Sequence, residues 1–337
     1  MKAFTYDLIV VNYHSTNHWI WRHTKLSIFG QLYRPFHVLL ILLTHDFKSR
    51  IKSNTDKVIL KSYKQKLIES LSDLYDKREA EQIANRLFDE RFGLSRAELV
   101  LQADRELDKQ ELADLDNILS QLTKGKPLDY ILGKSLFFGY EFEVNEEVLI
   151  PRPETEELVQ LILERETKTD YSLLDIGTGS GCIPIALKLE GKYEKVAACE
   201  VSSTALEMAK RNAELLKADV DCFLMDILTE VPKDKYDVVV SNPPYVFVEE
   251  LDSLEKHVVE YEPRIALSPL GEPLLFYKRI LSILPQIIKN GGRLYFEIHE
   301  EMGEEVEVLM RHHGLQSVEI IEDMYGRDRF VFGIYAP

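Results

Sequence analysis

Three cysteines among 337 residues, at 182, 199 and 222, are too few and too far apart for a disulfide framework or a zinc site. All three sit among apolar neighbours, where cysteine behaves as a small core residue of a reducing compartment. No apolar run near the N-terminus exceeds Val38–Leu43, which is far too short to span a bilayer. A positively charged region, an apolar stretch and a cleavage site do not follow in order, so no secretory signal is read. No long Lys/Arg run occurs, and the formal net charge is −16. Phosphate backbones would be repelled over most of such a surface, which weighs against a nucleic-acid substrate. The expectation is a cytoplasmic protein without membrane association, and with 45% hydrophobic residues it has ample material for a core.

Methionine is also scarce: after Met1 the next is Met208. Residues 1–57 differ from the rest. They hold both tryptophans, Trp19 and Trp21, and five of the nine histidines, His14, His18, His23, His37 and His45. Their basic excess contrasts with the acidic remainder, and no helical or strand period is evident in them. The histidine spacings match no metal-ligand pattern, so no metal is expected. A gene start placed too early accounts for such a stretch. Initiation at a non-standard codon near Val58 or Leu60 would begin the protein on a helix, and residues 1–57 are expected to be absent from the mature protein.

From 58 to 125 the pattern is helical. Tyr63, Leu67, Leu71 and Leu74 recur at 4, 4 and 3. Asp76 precedes a charged first turn, followed by Ala80, Ile83, Ala84, Leu87 and Phe88 on one face. Ser95 with Glu98 reads as a capping box, and Asp108 opens a helix through Leu112, Leu115, Ile118, Leu119 and Leu122. Gly125-Lys126-Pro127 ends it. This small bundle carries no catalytic constellation and suits docking a partner or covering a cleft. Residues 126–150 read as a linker containing a hairpin around Phe137–Glu146.

From 151 to 337 strands and helices alternate. Strand candidates are 172–176, 195–200, 221–225, 236–241, 293–298, 317–321 and 329–335. The last two are joined through Met324-Tyr325-Gly326, which suits an antiparallel pair. The expected fold is α/β: a doubly wound, seven-stranded sheet ending in an antiparallel hairpin, preceded by the helical bundle.

The first strand runs into Gly177-Thr178-Gly179-Ser180-Gly181. Glycines let the backbone turn sharply and a ligand approach it closely. The dinucleotide pattern is G-x-G-x-x-G, but here the third glycine comes one residue early, which fits a ligand without pyrophosphate. The Gly-Lys-Ser/Thr ending of a P-loop is missing as well. By itself the loop could be a structural turn. Glu200, closing the second strand, can accept from ribose hydroxyls. Asp226 after the third strand can accept from an exocyclic amine, with Ile227 packing on the ring. Asp175 is placed to help hold the ligand's ammonium group. Loop and acids at successive strand ends point together to S-adenosylmethionine, as in class I methyltransferases.

The fourth strand enters Asn242-Pro243-Pro244-Tyr245. The two prolines alone would make a rigid strand end. A chemical role accounts for all four residues. The lone pair of a planar nitrogen is delocalised, and accepting both of its N–H groups orients it and stabilises the charge that develops on methylation. The Asn242 side-chain oxygen is one acceptor and the Pro243 carbonyl the other, with Tyr245 packing on the flat group. No strong general base is needed before transfer.

This turn resembles that of amino-methyltransferases at large, including adenine-N6 enzymes. A narrower group is singled out by Leu149-Ile150-Pro151-Arg152-Pro153-Glu154-Thr155-Glu156, Tyr261-Glu262-Pro263-Arg264-Ile265-Ala266-Leu267, Pro127-Leu128-Asp129-Tyr130-Ile131-Leu132-Gly133 and Gly326-Arg327-Asp328-Arg329. On these, residues 58–337 resemble the PrmC/HemK family. The resemblance implies N5-methylation of the glutamine in the Gly-Gly-Gln motif of peptide chain release factors, with the helical domain contacting the release factor. It implies that Gly177–Gly181 and Glu200 bind cofactor, that Asn242–Tyr245 bind the glutamine, and that Arg152–Thr155 form a loop beside the cofactor. Glu200 stands where Asp is common, and Ile227 stands where some members carry an aromatic. Residues 1–57 have no counterpart. Two other readings make contrary demands. An adenine-N6 DNA or RNA methyltransferase requires a basic groove, and an inactive binding module requires damage in the loop or turn.

Overall fold

The computed structural model describes residues 5–12, 20–27, 57–251, 256–269 and 271–336. Strands β1 (Thr5–Asn12) and β2 (Ile20–Ser27) pair antiparallel. Sequence reading found no strand period there. The β-branched run Ile9-Val10-Val11 supplies strand propensity without the alternation that marks a half-buried strand. Of the five histidines in this segment, all but His23 lie outside the described residues.

The helices that follow form where their caps and apolar spacing dictate. In α1 (Leu60–Ser70) Tyr63 and Leu67 are buried. Helix α2 (Lys77–Phe92) opens on Asp76, whose carboxylate accepts from the Glu79 N–H, and closes on Gly93 in the left-handed region. Ser95 and Glu98 form the expected capping box of α3 (Arg96–Leu101). Asp108 and Glu111 form a second at α4 (Lys109–Leu122), which buries Leu115, Ile118, Leu119 and Leu122.

Residues 126–150 hold more than a hairpin. Leu128–Leu132 is a short helix, α5, set between Pro127 and a left-handed Gly133. Five residues are too few to show a period, which is why the sequence suggested only a connector. Arg86 of α2 donates to both Asp129 oxygens at 2.9 and 3.0 Å and fastens α5 to the bundle. Strands β3 (Lys134–Phe137) and β4 (Tyr140–Glu143) follow, joined by Phe138-Gly139, both at positive φ. That is the geometry a two-residue hairpin turn requires.

The main sheet has seven strands: β5 (Ser172–Ile176), β6 (Lys195–Glu200), β7 (Asp221–Leu224), β8 (Tyr236–Ser241), β9 (Ile288–Glu297), β10 (Leu315–Glu322) and β11 (Asp328–Tyr335). Their order is β10-β11-β9-β8-β5-β6-β7. Strands β5 to β9 are mutually parallel, and β11 runs antiparallel between β9 and β10. Successive residues feed opposite cores, as period 2 demands. Leu174, Val239, Leu294 and Phe296 pack with α12 (Leu275–Ile287) and α13 (Gly303–His312). Leu173, Val238, Val240 and Tyr295 pack on the other face with α6 (Pro153–Arg165) and α7 (Cys182–Gly191). Helix α8 (Ser203–Leu216) follows β6. Short helices α9 (Val248–Leu251), α10 (Lys256–Tyr261) and α11 (Arg264–Leu267) follow β8.

The chain leaves β5 toward β6 on one side, while β8 leads to β9 on the other. A crevice therefore opens beyond the carboxyl ends of β5 and β8, where such sheets bind ligands. Among the described residues no helix is long and apolar enough to cross a membrane.

Candidate active site

That crevice is a cavity of about 300 Å³. Its wall takes in Gly177–Ser180 after β5, Glu200 after β6, Asp226 and Ile227 after β7, and Asn242–Pro244 after β8. Four strand ends that are distant in sequence thus converge on one space, as the sequence reading expected. Arg152 and Thr155 enter from the start of α6, and Pro263, Ile265 and Ala266 close the opposite side.

The three glycines do two different things. All have positive φ: +77° at 177, +54° at 179 and +83° at 181. A Cβ on Gly177 or Gly179 would meet nothing within 4 Å and would project into open space beside the cavity wall. A Cβ on Gly181 would lie 3.0 Å from Ile185 and 3.2 Å from Ala209, so this glycine lets α7 pack against α8. Gly177 and Thr178 donate to the Cys199 carbonyl at 2.9 and 3.1 Å, which sets the loop on β6. Buried Asn212 fixes the loop from below: its amide donates to the Ser180 and Glu143 carbonyls and accepts from the Glu143 N–H. Sequence reading overlooked Asn212; its trace is a polar residue within the apolar face of α8.

Glu200 is committed more fully than expected. One carboxylate oxygen accepts from the Gly179 N–H at 2.9 Å, the other from Val201 and Ser202 at 2.9 and 3.0 Å. A carboxylate has about four acceptor positions, so roughly one is left for a ribose hydroxyl. Asp226 is shared in the same way, holding the Leu228 N–H and the Thr229 hydroxyl. Ile227 lines the cavity and also belongs to the core. Asp175 is fully buried at the end of β5, and burial pushes its carboxyl up to about 7. It lies behind the cavity wall.

The Asn-Pro-Pro-Tyr turn divides. Asn242, Pro243 and Pro244 reach the cavity. Tyr245 turns behind it: its hydroxyl donates to Glu297 at 3.2 Å, and its ring meets His299 edge-on at 6.2 Å. The Asn242 amide nitrogen donates to the Thr155 hydroxyl at 3.2 Å, and Thr155 donates to the other Glu297 oxygen at 2.8 Å. Glu297, overlooked in the sequence, shows there only as an acid ending an apolar strand.

Arg152 joins two parts of the wall. It donates to both oxygens of Glu262 at 2.7 Å, and Glu262 is buried. Burial raises the Glu262 carboxyl above its ordinary range, with Arg152 opposing that rise. Removing the arginine would strand a buried charge.

Two family models match this chain: the PrmC N-terminal domain over residues 65–133 and the methyltransferase small domain over residues 154–290. A release factor glutamine methyltransferase of Flavobacterium psychrophilum is 39% identical over 280 residues, covering 81% of this chain and 98% of its own. The Bacteroides thetaiotaomicron protein of the same name is 37% identical, with 78% and 95% covered. The chain belongs to the release factor glutamine methyltransferase family. Among solved structures, a methyltransferase from Pyrococcus furiosus is similar at a TM-score of 0.45 and 20% identity, covering 66% of this chain and all of that one.

S-adenosylmethionine is the methyl donor. The site has the features such a ligand needs. Side chains are missing at Gly177 and Gly179 where the backbone faces the cavity, acids stand at two neighbouring strand ends, and the buried Ser268 hydroxyl has no hydrogen-bond partner among the described residues. Glu200→Ala is expected to raise the cofactor Kd by roughly 10- to 100-fold, because it releases three backbone donors from a charged acceptor. Calorimetric titration measures this, and an unchanged Kd would remove Glu200 from the binding site.

Proposed function

We propose that this enzyme methylates the side-chain nitrogen, N5, of the glutamine in the Gly-Gly-Gln motif of peptide chain release factors. One observation carries the reading: the Asn242 amide nitrogen is engaged by Thr155, which leaves its oxygen for a substrate in the cavity. An N–H₂ group on a planar carbon needs acceptors, and this turn offers the Asn242 oxygen together with the Pro243 carbonyl.

S-adenosylmethionine supplies a methyl carbon on a positively charged sulfur that leaves as a neutral thioether. Asn242 and Pro243 take the two N–H groups of the glutamine and aim its nitrogen at that carbon. Their oxygens stabilise the positive charge that grows on nitrogen, and a proton then passes to water. The stiff diproline turn holds both acceptors in place in advance, and alignment of the reacting atoms supplies much of the rate. Gly177–Ser180, Glu200, Asp226 and Ile227 hold the donor, while Gly181, expected from the sequence to bind it, serves the packing of α7 on α8. Tyr245 supports the turn from behind.

The helical region 58–125 docks the release factor, and the domain beginning at 151 carries the chemistry, with 126–150 between them. Release factors act in the cytoplasm, and so does this enzyme. The acidic surface favours a protein substrate over a nucleic acid. The test is incubation of the purified protein with S-adenosylmethionine and a release factor, followed by peptide mass spectrometry. The Gly-Gly-Gln peptide should gain one methyl group on its glutamine. Methyl transfer to DNA or RNA with an unmodified release factor would overturn the reading.

A further inference from the structure

We propose that Glu297 is a positioning residue for methyl transfer: through Thr155 it selects which end of the Asn242 amide faces the cavity, and it anchors the Tyr245 hydroxyl at the other end of the same turn. The proposal rests on the reading of Asn242 given above.

The argument is one of donors and acceptors. An asparagine amide has two ends of nearly equal shape, one accepting and one donating. Only the oxygen can serve an N–H₂ substrate. Asn242 could present either, and its neighbour Thr155 could accept or donate. Glu297 removes the ambiguity. An ionised carboxylate only accepts, so the Thr155 proton must point toward Glu297. The Thr155 oxygen is then left to accept from the Asn242 nitrogen. The amide oxygen turns to the substrate. The second Glu297 oxygen takes the Tyr245 hydroxyl. Glu297 is itself 1% exposed, and its backbone carbonyl accepts from the Tyr277 hydroxyl at 3.0 Å, so the anchor is fixed at the end of β9.

A proton on Glu297 reverses the chain. The carboxyl then donates to Thr155, Thr155 donates to the Asn242 oxygen, and the amide rotates to offer its nitrogen to a group that also only donates. Several groups bear on this proton. Burial pushes the Glu297 carboxyl up to about 7, the hydroxyls of Thr155 and Tyr245 and the Arg329 guanidinium pull it down, and Glu154 pushes it up. Arg329 is in turn held by Asp323, and Arg152 acts on Tyr245 from the cofactor side. Cys182 and Tyr277 also lie within the reach of its charge. Activity therefore rises with pH as Glu297 loses its proton.

The experiment is single-turnover methylation of a release factor by wild type, Glu297→Gln, Thr155→Val and Thr155→Ser between pH 5.5 and 8.5, with the cofactor Kd and circular dichroism recorded for each. Glutamine cannot titrate and can present either end to Thr155. Glu297→Gln is expected to lower the rate about tenfold at high pH and to abolish its acid limb, a loss equivalent to one hydrogen bond. Thr155→Val breaks the relay with little change in volume and should cost about 30-fold, while Thr155→Ser stays within about threefold of wild type. The cofactor Kd should move less than about threefold throughout. Wild-type rates and a wild-type acid limb in both Glu297→Gln and Thr155→Val, with Asn242→Ala inactive, would overturn the relay and leave the assigned role of Asn242 standing. An active Asn242→Ala would instead overturn the reading of the turn. Should Glu297→Gln fail to fold, Thr155→Val against Thr155→Ser decides.

Discussion

Asn242→Ala is expected to lower the methylation rate by about 10²–10³, the range seen when one preorganised polar contact to a developing charge is removed. The cofactor Kd should stay within about threefold. The split follows from where the side chain sits. Its nitrogen is used within the protein, on Thr155, which leaves the oxygen of this cavity-lining residue for the glutamine. The methyl donor is held chiefly by the glycine loop and the acids after β6 and β7, none of which depends on the asparagine. An interaction realised mainly in the transition state lowers kcat without weakening ground-state binding. Stopped-flow or single-turnover methylation gives the rate, and titration with S-adenosylhomocysteine gives the affinity. A parallel loss of both would mean that Asn242 serves the cofactor and not the glutamine.

Gly179→Val should produce the reverse pattern, raising the cofactor Kd beyond roughly 100-fold while the protein stays folded. Valine has to adopt φ +54° there, which L-residues rarely do, and its methyl groups enter the space beside the cavity wall. Strain of this kind costs on the order of 1–3 kcal/mol, and the steric block to the ligand comes in addition. Gly181→Val is the informative partner. Its Cβ would run into Ile185 and Ala209, so the damage falls on the packing of α7 against α8 and appears as a lowered melting temperature. If Gly179→Val bound cofactor normally, the open space beside Gly179 would not be the cofactor's.

The sequence disclosed those features that depend on local pattern. Strands at 172–176, 195–200 and 236–241 lie where the apolar runs place them. Residues buried on both faces form continuous hydrophobic stretches that are hard to mistake. Strand β9 begins at Ile288, earlier than expected, because Gly291-Gly292 reads as a turn yet is carried within an irregular part of the pairing with β8. Helix α5 was hidden by its brevity. The glycine loop and Asn242 were legible because their backbone demands are written in residue type. Glu297 was not: its contacts reach Thr155 and Tyr245, far off in the chain, and only the assembled sheet brings them together. The position of Tyr245 behind the cavity was equally invisible, since an aromatic after two prolines suits either side of the turn.

The place of β11 has a consequence for biosynthesis. It is the last strand in sequence, yet it lies between β9 and β10. While the chain is being made, β9 can pair with β8 as soon as it emerges, but its other edge stays bare until residues 328–335 arrive. A nascent chain at that stage carries an unpaired apolar strand that ends in the very residue holding the active-site turn, and such edges recruit other chains. Ribosome stalling within this window should make the protein dependent on chaperones.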